Sequence, residues 1–346
     1  MKIEHVHFSP EEVPAPRQIQ QALPLQKGEV VAGFRQQVVD ILEGRDPRLL
    51  LVVGPCSIHN TESALEYAEQ LKQLEKQVGD AFFLVMRAYM EKPRTRLGWK
   101  GFLHDPFLDG SHDLIAGLQL SRRLFLDLTE MEVPIATEFL DPATTEYYGD
   151  LVTWGCIGAR TVTSQIHRQI ASGLPLPVGF KNSVDGNIDV AIHALEAAAA
   201  PHTYIGMNPD GQLTMIKTKG NTETHVVLRG SVQGTNYDPL SIKATLMELE
   251  QHGLPERVMV DCSHDNSQRN PDNQIKVFRA VMNQYDHIRG CMLESHFEAG
   301  NQPLTTSPNP YQSITDPCLD WERTKELILW GADQFHETSL MQQTCS

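Results

Sequence analysis

An α/β fold, a closed (β/α)8 barrel, is what this sequence predicts, and three observations predict it. Eight short apolar runs each stop at, or just before, a charged or metal-binding residue. Helical periodicity fills the stretches between them. No Gly-x-Gly-x-x-Gly turn follows the first run, as an open dinucleotide-binding sheet would require. Strand–helix repetition forces parallel pairing, because each crossover returns the chain to the same edge. A count of eight favours closure, and closure puts every strand-end side chain on one rim.

In chain order, residues 1–45 stand apart as an N-terminal arm. Pro10 to Arg17 is rich in Pro and Glu, and Val30 to Leu42 has the pattern of an amphipathic helix ending near Gly44. The arm is expected either as a loosely packed terminus or as an interface or regulatory element docking on a neighbouring subunit. Residues 46–346 are read as the catalytic barrel. Leu49 to Val53 leads into Gly54-Pro55-Cys56, Phe82 to Met86 ends at Arg87, and Ile135 to Thr137 ends at Glu138. Cys156 to Ala159 ends at Arg160, Val178 to Phe180 at Lys181, and Val226 to Leu228 at Arg229. Val258 to Val260 leads into Asp261-Cys262-Ser263-His264, and Cys291 to Leu293 ends at Glu294. Between runs, Leu65, Ala68, Leu71, Leu74 and Val78 follow a cap at Asn60 at helical steps. Leu120, Leu124 and Leu128 repeat the stripe, as do Ile188, Ala191, Ile192, Leu195 and Ala198, then Ile242, Leu246 and Leu249. Near 203–217 the rule breaks: Tyr204 to Met207 and Leu213 to Ile216 flank Asn208-Pro209-Asp210-Gly211, which predicts an inserted β-hairpin.

Composition narrows the function. The chain has 346 residues, 44 acidic against 29 basic, for a formal net charge of -15. That acidity argues against nucleic acid and anionic membranes as partners. The N-terminus lacks the basic start and apolar core of a signal peptide, and no apolar run approaches a membrane span. Six scattered cysteines, several inside predicted strands, suit a reduced cytoplasmic protein. In so acidic a chain, Arg87, Lys92, Arg94, Arg160, Lys181 and Arg229 at one rim are expected to hold small anions. Unpaired, they would repel one another. Rim ion pairs with Glu138 and Asp185 are the plainer expectation. The cation count points instead to two anionic groups, one at Glu91-Lys92-Pro93-Arg94-Thr95 and one at Gly158-Ala159-Arg160-Thr161. Cys56, His264 and Glu294 top strands that closure makes neighbours, and Asp316 lies in the following loop. One thiol, one imidazole and two carboxylates suit Mn²⁺, Fe²⁺, Co²⁺ or Zn²⁺.

These strings resemble the type I 3-deoxy-D-arabino-heptulosonate 7-phosphate (DAHP) synthases. Gly54-Pro55-Cys56-Ser57-Ile58-His59, Lys92-Pro93-Arg94-Thr95 and Gly158-Ala159-Arg160-Thr161 carry the resemblance. Gly179-Phe180-Lys181-Asn182, Glu294-Ser295-His296 and Ser313-Ile314-Thr315-Asp316-Pro317 extend it, from about Gly44 to Trp321. It implies condensation of phosphoenolpyruvate with erythrose 4-phosphate and release of phosphate, the first step of the shikimate pathway to aromatic amino acids. Metal ligation by Cys56, His264, Glu294 and Asp316 is implied. So are phosphoenolpyruvate contacts from Arg87, Lys92, Arg160, Lys181 and Arg229, with Glu138 and the backbone of Gly158 and Ala159 lining the same pocket. Arg94 and Thr95 are implied to hold the phosphate of erythrose 4-phosphate. Lys92, Glu138 and metal-bound water all remain open as the group that moves protons. Relatives are commonly inhibited by Phe, Tyr or Trp, so an aromatic amino acid effector at the arm or hairpin is expected, as is a homodimer or homotetramer. A synthase for another aldose phosphate and a non-catalytic amino-acid-sensing paralogue are the alternatives.

Departures from the family pattern are few. Val162-Thr163, Ser183-Val184 and Gly230-Ser231 differ from the usual pairs, and Asp265 replaces a small residue after His264. Asp265 is expected to add negative charge beside the metal. Cys318, two residues past Asp316, is expected near Cys56 and within reach of oxidative coupling to it.

Overall fold

The computed structural model describes residues 11–345, with side chains described as far as Thr338 of the last helix. Residues 1–10 of the expected arm lie outside the described residues. Two helices open the chain, α1 (Pro16–Ala22) and α2 (Gly28–Leu42). The barrel then runs β1 (Leu49–Gly54), α3 (Thr61–Val78), β2 (Phe82–Arg87), α4 (Leu114–Glu130), β3 (Ile135–Glu138), a short α5 (Thr145–Tyr148) and β4 (Trp154–Ile157). Next come α6 (Gln165–Ala171), β5 (Val178–Lys181), α7 (Asp189–Ala199), the pair β6 (Thr203–Met207) and β7 (Leu213–Lys217), and β8 (Thr224–Leu228). The chain closes with α8 (Pro239–Gln251), β9 (Val258–Asp261), α9 (Pro271–Met282), β10 (Gly290–Glu294) and α10 (Trp321–Cys345).

Eight parallel strands close in the order β1-β10-β9-β8-β5-β4-β3-β2. Closure is decided where β1 meets β10, in a register that sets Gly54 opposite Glu294. The predicted hairpin is present as an antiparallel ribbon, Thr203 opposite Lys217 and Met207 opposite Leu213. One strand end differs from expectation. β4 stops at Ile157, so Arg160 sits beyond the strand, exposed in the turn that follows. Gly158 and Ala159 lack the β-branched bulk that would extend the strand.

Local chemistry explains the helix starts. Asn60 accepts from the Ser63 N–H at 2.8 Å, and Asp113 accepts from the Ala116 N–H at 2.9 Å. Pro239 and Pro271 occupy first turns, where a missing N–H costs nothing. Alternation then divides the core. Leu49, Leu51 and Val53 face the helices, whereas Leu50 and Val52 point inward with Phe83, Val85, Trp154, Met259 and Met292. Val38, Ile41 and Leu42 of α2 join that inner cluster and plug the bottom of the barrel. Each such buried aliphatic side chain is worth about 2 kcal/mol, so the arm's second helix is part of the core. α1 is tied to the hairpin instead: Arg17 pairs with Asp210 at 2.5 Å, and Ile19 is buried. Among the described residues, no helix is long and apolar enough to cross a membrane.

Candidate active site and metal centre

The C-terminal rim collects the charged side chains. Cys56, Glu294 and Asp316 each offer a ligand atom, all within 4.8 Å of one another. Their convergence has identifiable causes. β1–β10 pairing brings Cys56 beside Glu294. The main chain of Glu294 is clamped by Gln274, which accepts from its N–H at 2.8 Å and donates to its carbonyl at 2.9 Å. Leu319 N–H donates to the Glu294 carbonyl, which lays the 313–319 segment along the end of β10. The hydroxyls of Ser57 and Thr315, 2.7 Å apart, then fix Asp316 over Cys56.

His264 stands beside this group, its Nε2 3.8 Å from Glu294 Oε1. Its backbone is left-handed at φ 52°, a conformation that costs a non-glycine residue about 1 kcal/mol or more and persists where surroundings enforce it. Burial, then Glu294, pushes the Cys56 thiol above its ordinary range, against the pull of Lys92, whose Nζ lies 3.1 Å from Sγ. For Asp316, burial is outweighed by Lys92 and His264, which hold the carboxyl below its ordinary value. Glu294 Oε1 has Arg87 Nη2 at 2.9 Å but no aligned hydrogen-bond donor. A thiol, two carboxylates and an imidazole around one point, with a buried carboxylate oxygen lacking a donor, fit a borderline divalent cation.

The cations divide into two sets. Arg87, Lys181 and Arg229 are buried and each has an acidic partner: Glu294 at 2.9 Å, Asp261 at 2.6 Å and Asp265 at 2.5 Å. Arg87 also stacks 3.6 Å over the Tyr89 ring and donates to Met292 Sδ at 3.0 Å. Lys92, Arg94 and Arg160 have no ion pair among the described residues. Lys92 is buried against Cys56, whereas Arg94 and Thr95 lie on the exposed loop after β2, where Arg94 Nε donates to the Trp99 carbonyl at 2.8 Å. Arg160 Nε donates to Thr95 Oγ1 at 3.0 Å, joining the two predicted anion cradles. Glu138 is buried with Oε1 unpartnered. It leaves no room for a side chain at Gly158 unless its carboxyl moves, since an added Cβ would stand 2.1 Å from that oxygen.

Two expectations change. The rim cations pair with Glu294, Asp261 and Asp265, and neither Glu138 nor Asp185 takes part. Asp265 turns its oxygens to Arg229 and Arg269, so its charge is spent on guanidinium groups and not on the metal cluster.

The sequence model of the DAHP synthetase I family matches residues 19–328. The chain belongs to that family. It is 46% identical over 336 residues, 94% of both chains, to the Tyr-sensitive phospho-2-dehydro-3-deoxyheptonate aldolase of Escherichia coli. It is 41% identical to the tyrosine-inhibited enzyme of Schizosaccharomyces pombe, over 90% of this chain and 87% of that one. A solved phospho-2-dehydro-3-deoxyheptonate aldolase from Francisella tularensis superposes with a TM-score of 0.93 at 40% identity, covering 96% of this chain and 99% of the other. The chain is therefore an enzyme, an aldol-type synthase of the transferase class with DAHP synthase activity.

Sequence reasoning missed Asp261, Tyr89 and Met292 in this synthase. Asp261 carried a signal, since it ends β9 as Arg87 ends β2 and Glu294 ends β10. Tyr89 and Met292 carried none, because an aromatic ring just past a strand and a thioether inside one read as ordinary core.

Proposed function

We propose that the rim condenses phosphoenolpyruvate with D-erythrose 4-phosphate and water, giving 3-deoxy-D-arabino-heptulosonate 7-phosphate and phosphate. The observation that carries this reading is the approach of Cys56, Glu294 and Asp316 within 4.8 Å of one another beside Lys92 and a set of buried cations. Cys56, His264, Glu294 and Asp316 would hold a divalent ion (Mn²⁺, Fe²⁺, Co²⁺ or Zn²⁺). Such an ion supplies Lewis-acid polarisation of the aldehyde oxygen, which a weak enol nucleophile needs.

The chain's own residues do the rest. Arg87, Lys181 and Arg229, with Lys92 and Arg160, bind the carboxylate and phosphate of phosphoenolpyruvate, and the Gly158 and Ala159 backbone closes that pocket. Arg94 and Thr95 hold the phosphate of erythrose 4-phosphate at the rim. Two anchored anions keep the enol carbon facing the aldehyde, an orientation effect that lowers the barrier by several kcal/mol. Water adding to the second carbon of phosphoenolpyruvate gives a hemiketal phosphate that expels phosphate. Lys92 and Glu138 are the buried groups available to hold or move a proton there.

Regulation and assembly belong to the same proposal. An aromatic amino acid acts as effector in a cavity of about 320 Å³ between the β6–β7 hairpin and the segment 141–146, walled by Pro142, Ile166, Ile170, Tyr204 and Ile216. The names of the Tyr-sensitive and tyrosine-inhibited relatives support tyrosine. Residues 1–45 form the regulatory arm and 46–346 the catalytic barrel, supported by the Arg17–Asp210 tie between arm and hairpin. The chain works as a homodimer or homotetramer, supported by Ile205, Leu213 and Met215, which are 81%, 83% and 62% exposed on the ribbon. A cytoplasmic location is supported by five free, buried cysteines among the described residues.

The test is phosphate release by the full chain loaded with Mn²⁺, using phosphoenolpyruvate and, in turn, erythrose 4-phosphate, ribose 5-phosphate and arabinose 5-phosphate. The tetrose phosphate is expected to react fastest. A faster pentose phosphate overturns the tetrose assignment, and no release with any aldose overturns the substrate class.

A further inference from the structure

Asp261 is fully buried at the end of β9 and is itself assigned no contact with metal or substrate. Its two oxygens have different tasks. Oδ2 lies 2.6 Å from Lys181 Nζ and 2.8 Å from His264 Nδ1. Oδ1 accepts from Ser263 N–H at 3.0 Å and from Ser263 Oγ–H at 2.6 Å. Ser263 Oγ lies in turn 2.7 Å from His264 Nδ1.

We propose that Asp261 is a positioning residue that, directly and through Ser263, fixes the tautomer and orientation of His264 and at the same time holds Lys181 for the anionic substrate. The proposal rests on the reading of His264 as a metal ligand. A carboxylate beside the Lys181 ammonium only accepts hydrogen bonds. The single hydroxyl proton of Ser263 is therefore committed to Asp261, and Ser263 Oγ has only lone pairs left for the imidazole. Both neighbours of Nδ1, Ser263 Oγ and Asp261 Oδ2, are then acceptors. The proton must sit on Nδ1, which leaves the Nε2 lone pair facing Glu294. A ligating imidazole needs that arrangement, and a fixed partner on its far nitrogen commonly supplies it. One buried carboxylate thus joins the metal group to a buried cation of the anion pocket.

Asp261→Asn keeps the volume but presents an amide N–H to Ser263 or Lys181. Ser263 Oγ–H is then free to donate to Nδ1, which moves the ring proton to Nε2. Ser263→Ala removes one of the two acceptors at Nδ1 and leaves the direct contacts of Asp261 to His264 and Lys181 intact. The experiment titrates Mn²⁺ into the metal-free full chain against a chromophoric chelator, alongside thermal unfolding and binding of phosphoenolpyruvate to the metal-free protein. Asp261→Asn is expected to weaken Mn²⁺ by about tenfold or more and to weaken phosphoenolpyruvate as well. Ser263→Ala is expected to weaken Mn²⁺ less than Asp261→Asn does, because Asp261 Oδ2 still faces Nδ1, while changing phosphoenolpyruvate binding less than about twofold. His264→Ala separates the two readings. If it leaves Mn²⁺ affinity unchanged, the assignment of the metal ligand fails. If it weakens Mn²⁺ while folded Asp261→Asn and Ser263→Ala bind as the parent does, the positioning role alone is overturned. Nitrogen chemical shifts of His264 provide a signature independent of affinity: Nδ1 protonated in the parent, and Nε2 gaining proton in Asp261→Asn. An unchanged spectrum in a folded Asp261→Asn protein also overturns the proposal.

Discussion

Gly158→Ala isolates one side chain of the proposed pocket. The added methyl carbon would stand 2.1 Å from Glu138 Oε1 and 3.0 Å from its Cδ. Ordinary contact needs roughly 3.4 Å, so the carboxyl must retreat by about 1 Å. The obstructing atom is the far end of a flexible side chain, so folding suffers little. Replacing glycine also gives back some entropy from the unfolded chain, about 0.5 kcal/mol. Catalysis is more demanding, because a displacement near 1 Å commonly costs about 10²-fold, or about 2.7 kcal/mol of transition-state stabilisation. The expected result is a kcat/KM about 10²-fold below the parent, with an unfolding midpoint within a few degrees of it. Placing Gly158→Ala in a Glu138→Asp background should shrink its effect, since the shorter acid vacates the space. Parental kcat/KM in a folded Gly158→Ala enzyme would refute the reasoning, as would an undiminished effect in the Glu138→Asp background.

Asp265→Asn keeps a hydrogen-bond acceptor for Arg229 but removes the anion 2.5 Å from that guanidinium. Phosphoenolpyruvate no longer shares Arg229 with a fixed charge, so its KM is expected to fall severalfold in a less stable protein, because a buried guanidinium has lost its anionic partner, with Mn²⁺ affinity unchanged. A higher KM, or altered Mn²⁺ titration, would contradict this. Air oxidation of the metal-loaded enzyme is expected to inactivate it by joining Cys56 to Cys318, which is buried and reaches the Cys56 backbone. Peptide mapping that finds both thiols free in an inactivated sample would sink the idea. Stability should also fall in mild acid. His225 is buried with Trp154 Nε1 donating to its Nε2 at 3.1 Å, and burial, then Arg257, lowers its pKa to about 3. Between pH 6.5 and 3 the unfolded chain binds a proton that the folded chain refuses, so stability drops by about 1.4 kcal/mol per pH unit and is flat above 6.5. Urea unfolding at pH 5 and pH 8 should show a difference about 2 kcal/mol smaller in His225→Gln than in the parent, and equal differences would rule this out.

Much of the architecture was legible because strand-end charges mark one rim. A buried strand cannot keep a charge within its apolar run, so each Arg, Lys or Glu reports where the run meets solvent or substrate. The hairpin was legible for a different reason, since Asp210-Gly211 carries a turn signal of its own. The role of α2 was not. Val38, Ile41 and Leu42 show only that the helix has an apolar side, and which surface covers that side is a tertiary fact. Partners at the rim were hidden likewise. Lys181 and Asp261 are 80 residues apart, and only barrel order brings β5 and β9 to either side of β8. The extent of β4 was misjudged because Gly158 and Ala159 continue an apolar run without the shape that continues a strand.

The pairing of the rim cations sharpens the sequence-level argument that so many positive charges demand anions. Three of the six meet acids of the chain itself, and those three are the deepest. Breaking a buried pair by removing one partner costs about 3–5 kcal/mol. Arg87, Lys181 and Arg229 are therefore held in place before any ligand arrives, which is preorganisation and not unspent charge. The charge that still calls for an anion is carried by Lys92, Arg94 and Arg160. Those three lie in the loops after β2 and β4, and Thr95 links Arg160 to the Arg94 loop. Electrostatic demand and geometric readiness thus reside in different residues. Neutralising Arg94 or Arg160 should weaken substrate binding and its salt dependence while leaving the fold intact. Neutralising Lys181 or Arg229 should strip a buried acid of its partner and lower stability and activity together.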